Sequence, residues 1–386
     1  MKDVVVIGAG PAGLHAARCL AADGFEVEVL EEHSSVGEPV HCTGIVSPEI
    51  FREFSIPPTL AFNELRSVRL YSPRGRMVRF STDRVEAIVV DRGAFDKSLS
   101  VLASASGAEI RSGVRAERID WSGPAVAVHC AGGGLHKARA CVVATGSCYG
   151  LNRELGIGFP PLSIGCAQIE LPAAEPQDVE LHLGGEVAPK GFAWSVPVRR
   201  PEGSFARIGV MCEGDSGKYF RRFLPRLKSW GIQNGPDTSP PRQRILPLAP
   251  IRKTYRDRLL VVGDAAGFVK PTTGGGVFYG MISATIAASV LGGALRRDRL
   301  QESELSRYQD LWKERLMEEI EAQLTFRLLM QRLTDDEVES VFDLWMTDGL
   351  MPLIRKTAAF NQHRKLIAAI TRYPAMRKIL FRKALA

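Results

Sequence analysis

The chain has 386 residues, of which 45% are hydrophobic and 24% charged, and it is long enough for two domains or for one domain with a large insertion. Its seven cysteines are scattered and contain no Cys-x-x-Cys pair, which argues against a disulfide framework or a zinc site and favours a reducing cytoplasm. The net charge of +7 arises in the C-terminal tail, where nine Lys and Arg and no Asp or Glu follow residue 350. The rest of the chain is close to neutral, and no nucleic-acid partner is expected.

The first thirty-one residues predict a strand, a glycine turn, a helix and a second strand. Residues 4–7 are continuously apolar, as in a parallel strand that is buried on both faces. Residues 14–22 have helical spacing, and residues 25–30 alternate as a strand does. The apolar run at residues 4–7 ends in a glycine turn instead of a cleavage site, so no signal peptide is expected.

The turn carries the motif G-x-G-x-x-G at residues 8–13, directly after a strand and at the start of a helix. In this motif Gly8 permits the tight turn, Gly10 lets the backbone approach a pyrophosphate, and Gly13 lets helix and strand pack closely. The helix N-terminus offers N–H groups and a positive dipole end to the phosphates. Glu31 ends the second strand, where its carboxylate can accept hydrogen bonds from ribose hydroxyls. These residues, with Ala12, predict a dinucleotide site, and the motif alone does not choose between NAD and FAD.

Further along the chain, residues 94–106 predict a helix and residues 140–144 a strand. Residues 160–250 change character, with short alternating runs broken by Pro and Gly that indicate an inserted antiparallel sheet. Residues 259–263 predict another buried strand, and helical patterns continue from there to the end. The first of these helices, at residues 277–295, is uncharged and long enough to span a membrane. Its glycines, its hydroxyl side chains and the preceding glycine turn favour a buried helix of the cofactor domain.

A second motif follows the strand at residues 259–263. It reads Gly263-Asp264, and three consecutive glycines follow at residues 274–276. It resembles the late Gly-Asp motif of FAD enzymes of the para-hydroxybenzoate hydroxylase and geranylgeranyl reductase superfamily. The resemblance implies FAD as the cofactor and Asp264 as the residue that holds the ribityl chain. The helix start would then direct N–H groups at the flavin ring; the residues concerned are Gly275, Gly276 and Val277.

Two more cofactor contacts are implied by the same resemblance. Arg92, within residues 90–96, matches an arginine that the family uses near the flavin and the pyrophosphate. Val114 falls where the family contacts adenine through its backbone. A plain surface position is the alternative for Arg92.

Within the superfamily, nearly the whole chain is most similar to the geranylgeranyl reductase branch. Residues 37–45 are similar to a Pro-Val-x-Cys segment that lies beside the flavin in that family, although this chain is one residue shorter after the cysteine; the residues implied are Cys42, Thr43 and Gly44. Residues 189–197 are similar to the family pattern P-x-x-Y-x-W-x-F-P, with Phe192 in place of the tyrosine and Val196 in place of the phenylalanine.

The resemblance implies an FAD-dependent reductase that saturates carbon–carbon double bonds of a prenyl chain, by flavin hydride transfer plus protonation. Phe192 and Trp194 would form an aromatic wall at the reacting carbon, and Cys42 would belong to the proton path. The alternatives are that the two aromatic side chains are ordinary core residues and that Cys42 is a small buried residue. The electron donor would be a ferredoxin or NAD(P)H, since no second G-x-G-x-x-G is present.

The alternative activity is that of a flavin-dependent monooxygenase or halogenase acting on an aromatic or lipid substrate. Hydroxylases usually carry Asp-Gly where this chain reads Thr145-Gly146, which counts against hydroxylation. Residues 192–197 are close to the W-x-W-x-I-P motif of flavin halogenases, but no residue matches their reactive lysine. A flavin fold that only senses redox state or docks partners is a third interpretation.

The predicted fold is α/β, with a doubly wound, glutathione-reductase-like FAD domain formed by residues 1–160 and 250–300. Residues 161–249 would form an antiparallel substrate domain, and residues 301–386 a helical region with the basic tail. Pro374 would divide the tail into two short helices, each with an apolar face. These faces and the cations predict peripheral binding to an anionic membrane; the alternatives are a solvated basic helix pair and a dock for an acidic partner.

Overall fold

The structure is a computed structural model that describes residues 1–121, 123–174, 178–232, 239–347 and 350–381. Its strands are β1 Lys2–Ile7, β2 Val27–Glu31, β3 Ile45–Val46, β4 Ala61–Leu65, β5 Ser67–Tyr71, β6 Met77–Ser81, β7 Ala87–Val90, β8 Glu109–Ser112, β9 Ala116–Asp120, β10 Val126–Cys130, β11 Leu135–Val143, β12 Ser163–Pro172, β13 Val179–His182, β14 Phe192–Arg200, β15 Gly203–Cys212, β16 Arg242–Pro247, β17 Tyr255–Arg256 and β18 Leu259–Val261. Its α-helices are α1 Pro11–Ala22, α2 Glu49–Glu53, α3 Arg92–Ala105, α4 Gly150–Glu154, α5 Ser216–Phe223, α6 Val277–Arg296, α7 Glu302–Trp312, α8 Glu318–Met330, α9 Asp335–Thr347, α10 Leu350–Thr357, α11 Arg364–Arg372 and α12 Pro374–Leu380. One π-helical turn, Lys313–Met317, joins α7 to α8.

The first sheet has a parallel centre in the order β18-β11-β1-β2-β8. Its strands are apolar and buried; Val4, Val5 and Val6 of β1 have no exposed surface. Helix α1 packs against both α3 and α6, so the strand-turn-helix unit at the N-terminus lies beside the late helix α6. The α/β fold predicted from the sequence is therefore present.

The second sheet has the order β16-β12-β15-β14-β13-β5-β6 within the described ranges. Strands β5 and β6 lie in a segment that the sequence analysis placed in the cofactor domain, and β5 pairs with β13 in parallel. The predicted boundary at residue 161 therefore does not describe this sheet, and the sheet is not wholly antiparallel. Buried Asp178, directly before β13, explains the pairing, because Arg69 of β5 and Arg79 of β6 both form ion pairs with it, at 2.7 and 3.1 Å.

Helix α6 is the one described helix whose length and hydropathy would suffice to span a membrane, and 67% of its most apolar window is buried inside the protein. The packing of α6 against α1 and α7 accounts for that burial. The prediction of a buried core helix agrees with this arrangement.

The C-terminal tail forms the two predicted short helices, α11 and α12, and Pro374 begins the second. The prediction that their apolar faces are available to a membrane is wrong. Ile367, Ile370, Met376 and Leu380 are buried, the last three in a cluster that includes Val341 and Leu350. The cations of the described tail are exposed, whereas Arg382 and Lys383 lie outside the described residues.

Candidate functional site

The glycine turn between β1 and α1 has three motif glycines. Packing requires two of them, Gly8 and Gly13, but not Gly10. A methyl group at Gly8, where φ is 105°, would lie 2.4 Å from the carbonyl oxygen of Ala144, and one at Gly13 would lie 2.0 Å from that of Gly8. A methyl group at Gly10 would meet no atom within 4 Å. Gly10 precedes α1, which has no side-chain cap. The helix N–H groups are therefore accessible at Gly10, as a pyrophosphate requires.

The Glu31 carboxylate points back to this turn. Its Oε2 accepts from the Ala9 N–H at 2.8 Å, and its Oε1 accepts from the His33 N–H at 3.0 Å. The carbonyl oxygen of Glu31 accepts from the Val114 N–H at 2.8 Å. The structure therefore brings Val114 and Glu31 together beside the glycine turn, where the resemblance places the adenosine end of the cofactor.

Asp264 lies against the start of α6. A methyl group at Gly276 would stand 2.4 Å from Oδ1 of Asp264, and α6, which begins at Val277, has no side-chain cap. Burial raises the pKa of Asp264 to about 6, and nearby Arg92 opposes that rise. The Asp264 carboxyl group and the free N–H groups at the start of α6 thus lie together at one end of the cofactor domain.

Ala12 lies where α1 meets Gly263 and α6. A methyl group at Gly263 would approach the Cβ of Ala12 to 2.9 Å, and one at Gly280 would approach it to 3.6 Å. Small residues at all three positions therefore let α1 and α6 pack closely, so the two predicted cofactor motifs are neighbours in the fold.

The segment Cys42–Gly44 lies between the cofactor domain and the second sheet. Gly44 has φ 72°, and a methyl group there would lie 2.4 Å from Nη1 of Arg207. That Nη1 donates to the carbonyl oxygens of Thr43 at 2.6 Å and Val90 at 3.0 Å. The Thr43 hydroxyl donates to Gln168 of β12. Buried Arg207, which the sequence analysis missed, therefore fixes the backbone of the segment.

Arg92 lies beside the same segment. Its guanidinium pairs with Asp96 at 3.0 Å, and its Cγ would lie 3.1 Å from a methyl group at Gly44. Burial alone would lower the pKa of Arg92, but Asp96 and Cys42 together raise it. The Cys42 Sγ accepts from the Gly44 N–H at 3.4 Å. Arg92 is thus a permanent cation next to Cys42.

Phe192 and Trp194 are two residues apart on β14, so both side chains lie on one face of the second sheet. Their rings are 5.8 Å apart and belong to an apolar cluster with Met211 and Leu246. A methyl group at Gly274 would lie 3.2 Å from Leu246 and 3.8 Å from Met211. The aromatic face is therefore continuous with the glycine loop that opens α6.

The indole of Trp194 is 7% exposed, and no described residue accepts a hydrogen bond from its Nε1. A buried indole N–H usually has a partner. The indole N–H of Trp194 is therefore a buried donor without an acceptor among the described residues.

Gly275 lies against a buried lysine that the sequence analysis also missed. A methyl group at Gly275 would lie 2.9 Å from Cε of Lys270, whose ammonium donates to the Phe360 carbonyl oxygen at 2.8 Å and lies over the Phe360 ring. Burial lowers the pKa of Lys270 to about 7, although Glu319 and Glu49 favour its charged form. The sequence offered one signal for this lysine: Lys270 and Asp264 are the two charged residues within the apolar residues 259–295.

The C-terminal helices contact the same loop. Gln323 of α8 accepts from the Thr272 hydroxyl at 2.9 Å, and one helical turn later Arg327 donates to the Pro271 carbonyl oxygen at 3.0 Å. Arg327 also donates to the Lys190 carbonyl oxygen at 3.0 Å, directly before the aromatic segment. Helix α8 therefore links the cofactor loop to the second sheet.

Comparison with known proteins identifies the relatives of this chain. Residues 2–157 match the family model of pyridine nucleotide-disulphide oxidoreductases. A digeranylgeranylglycerophospholipid reductase of Methanocaldococcus jannaschii is 32% identical over 88% of this chain and 89% of its own length. The chain belongs to the geranylgeranyl reductase family.

Solved structures agree in fold. A geranylgeranyl bacteriochlorophyll reductase-like protein of Thermoplasma acidophilum superposes with a TM-score of 0.83 at 23% identity, covering 100% of this chain and 99% of that one. The halogenase PltM in complex with phloroglucinol and FAD superposes with a TM-score of 0.68 at 17% identity, covering 100% of this chain and 93% of that one.

The enzyme is an FAD-dependent oxidoreductase, and its residues fit the cofactor. The open position at Gly10 and the uncapped starts of α1 and α6 would supply N–H groups for a pyrophosphate and for the flavin ring. Glu31 and Asp264 would offer carboxylates to the ribose and ribityl hydroxyls at the two ends.

Proposed function

We propose that the enzyme saturates carbon–carbon double bonds of a prenyl chain. The observation that carries the proposal is the apolar wall of Phe192, Trp194, Met211 and Leu246, which abuts Gly274 at the cofactor loop. The relative from Methanocaldococcus jannaschii, whose name specifies a digeranylgeranylglycerophospholipid, supports a substrate with such a chain.

An isolated trisubstituted alkene has no carbonyl group to polarise it, so hydride alone does not attack it. Protonation at the less substituted carbon must develop tertiary cation character, which a hydride then quenches. Reduced FAD, when bound, supplies that hydride. Phe192 and Trp194 exclude water and present electron-rich faces, and such a face stabilises a desolvated cation by about 2 kcal/mol.

The proton requires a donor near the same wall. Cys42 is our candidate because it lies beside the permanent cation of Arg92. Its neighbour His41 is unsuited, since burial and the adjacent Arg244 and Arg242 lower the pKa of His41 to about 4 and keep it neutral near pH 7. Replacement of Cys42 by Ser, with Cys148→Ser at an exposed site as the matched control, separates a role in proton delivery from plain packing.

The alternative is a monooxygenase or halogenase. Flavin halogenases use a reactive lysine, but the buried Lys270 directs its ammonium at Phe360 of the C-terminal segment. Lys270 does not line the cavity of about 880 Å³ that Cys42 and Gln168 line. The described geometry therefore favours the reductase over the halogenase.

Anaerobic reoxidation separates the two activities. Photoreduced holoenzyme is mixed with a geranylgeranyl compound in the absence of O₂, and the flavin absorbance is followed. The reductase reoxidises its flavin with the prenyl compound alone. A protein that ignores every prenyl alcohol, diphosphate and lipid, yet consumes O₂ with an aromatic compound, has the alternative activity.

Two partners belong to the same proposal. A ferredoxin or NAD(P)H would supply electrons, and the exposed cations of α10–α12 would hold the enzyme at an anionic membrane near its lipid substrate. Since the apolar tail side chains are buried, this attachment would be electrostatic. Flotation with anionic but not neutral vesicles, reversed by salt, is the expected result; equal flotation with both vesicle types would contradict it.

A further inference from the structure

A cavity of about 880 Å³ lies between the loop at residues 33–42 and the cofactor-facing side of the second sheet. Cys42 and Gln168 line it, as do Glu170, Arg207 and Arg242. The cavity therefore reaches Cys42, our candidate for the proton path, while its wall on the sheet is strongly polar. Its charges decide what it binds.

The carboxylates of this cavity already have partners. Glu170 of β12 pairs with Arg207 at 2.7 Å and with Arg200 at 2.8 Å. Glu38, on the opposite loop, pairs with Lys97 at 2.6 Å. This part of the wall is balanced in charge, so it has little attraction for an added anion.

The part of the wall formed by β16 is different. Arg242 and Arg244 alternate with Gln243, whose side chain accepts from Ser216 of α5 on the other face of the sheet. Both arginines therefore face the cavity loop, and Nη2 of Arg244 donates to Nε2 of His41 at 2.6 Å. No carboxylate of the described residues lies within ion-pair distance of either guanidinium. We call this group the basic rim; it consists of Arg242, Arg244 and His41.

The same face of β16 changes from charged to apolar along its length. Leu246 follows Arg244 by two residues, which is about 7 Å along a strand, and it packs into the aromatic cluster beside Gly274. Across the cavity from the arginines, Val40 of the facing loop is 36% exposed. One strand thus offers cations at its outer part and an apolar surface toward the cofactor loop, which is the pattern that complements an anionic amphiphile.

We propose that the basic rim binds the phosphate group of the prenyl substrate while the chain extends along Leu246 toward Phe192 and Trp194. This inference rests on the proposed function and deepens it, because it assigns the residues of this chain that select a substrate by its phosphate group. Guanidinium groups suit phosphate because their planar N–H groups can donate in pairs. His41 contributes a neutral imidazole that orients Arg244.

The test uses holoenzyme reduced with dithionite, so that no nucleotide donor is needed. Arg242→Gln/Arg244→Gln is compared with Arg221→Gln/Arg222→Gln, which removes the same charge from exposed positions on α5. We expect the KM for geranylgeranyl diphosphate to rise about tenfold or more in the rim variant, with little change in kcat, since each tenfold corresponds to ~1.4 kcal/mol of lost binding. The KM for geranylgeraniol should not change, and neither KM should change in the control.

The source of the phosphate is settled by two further measurements. Inorganic pyrophosphate should compete with geranylgeranyl diphosphate in wild type and not in the rim variant. If the rim variant instead raises the KM for NADPH and leaves the prenyl diphosphate unaffected, the rim serves the electron donor and the inference is wrong. Equal changes for the diphosphate and the alcohol also overturn it.

Failure of the proposed function would be visible separately. If wild type reduces neither prenyl compound, the reductase proposal fails, and equilibrium binding of geranylgeranyl diphosphate to oxidised holoenzyme still tests the rim. Weaker binding in the rim variant than in the α5 control supports the rim in that case. Equal binding in both variants refutes it.

Discussion

Trp194 lies directly over Gly209 of the neighbouring strand. The two residues are paired across β14 and β15, and a methyl group at Gly209 would stand 2.2 Å from Cζ2 of the indole. A side chain at Gly209 would therefore move the aromatic wall. The position of Trp194 depends on the absence of that side chain as well as on its own strand.

Gly209→Ala should destabilise the protein by about 1–3 kcal/mol, as overpacking of a filled core does. Urea unfolding of the holoenzyme measures the loss, and the indole fluorescence reports the displacement of Trp194. Gly150→Ala is the matched control, because a methyl group there meets no atom within 4 Å. Identical midpoints for Gly209→Ala and wild type would show that the indole does not rest on Gly209.

Trp194→Leu should slow anaerobic reoxidation of the reduced enzyme by the prenyl substrate about 30-fold, since ~2 kcal/mol of cation stabilisation is lost. Trp194→Phe keeps an aromatic face and should lose less. Flavin content is measured first in each variant, so that a cofactor defect is not mistaken for a slower reaction. Reoxidation of Trp194→Leu at the wild-type rate would mean that the wall is elsewhere.

Asp264→Ala should strip most of the FAD, because the carboxylate lies at the start of α6 where the ribityl chain is expected. The flavin released on denaturation is measured per mole of protein, and it should be FAD and not FMN in wild type. Asp310→Ala, at an exposed position of α7, is the control and should retain full occupancy. A folded Asp264→Ala protein with full occupancy would remove Asp264 from the cofactor site.

Lys270 should make stability depend on pH. Burial lowers its pKa from 10.5 to about 7, so the folded protein binds fewer protons than the unfolded chain between these values. The free energy of unfolding of wild type should therefore rise with pH across this window, relative to Lys270→Met, by up to about 1.4 kcal/mol per pH unit. Below pH 7 the difference between the two proteins should be constant.

Chemical unfolding from pH 6 to pH 10 measures this difference. Lys313→Met, at an exposed position, should run parallel to wild type throughout. Parallel curves for Lys270→Met and wild type across the window would show that Lys270 keeps an ordinary pKa in the fold.

The parts of the site that the sequence predicted are those that local structure creates. The turn at Gly8, Gly10 and Gly13 follows from a strand, a tight turn and a helix in one short stretch, and Glu31 ends the next strand. The turn and Glu31 therefore come together without help from distant residues. The late motif at Asp264 follows the same logic, because its strand, turn and helix are also consecutive.

The residues that sequence reasoning missed act through partners far away in the chain. Arg207 is one of many arginines in the sequence, and its contact with Thr43 spans 164 positions. Arg327 reaches Pro271 and Lys190 in the same way. Helical spacing in the tail identified apolar faces correctly, but spacing alone does not say whether protein or lipid covers them, and in this fold residues such as Val341 and Leu350 do.

The mass of the lipid product shows whether the enzyme reduces the prenyl chain. Reduced holoenzyme is incubated without O₂ with a digeranylgeranylglycerophospholipid, and the extracted lipid is analysed by mass spectrometry. We expect products that have gained one pair of hydrogens for each double bond reduced, in amounts that match the flavin reoxidised. Unchanged lipid mass in the presence of fully reduced, FAD-loaded enzyme, with an oxygenated or halogenated aromatic product once O₂ is admitted, would contradict it.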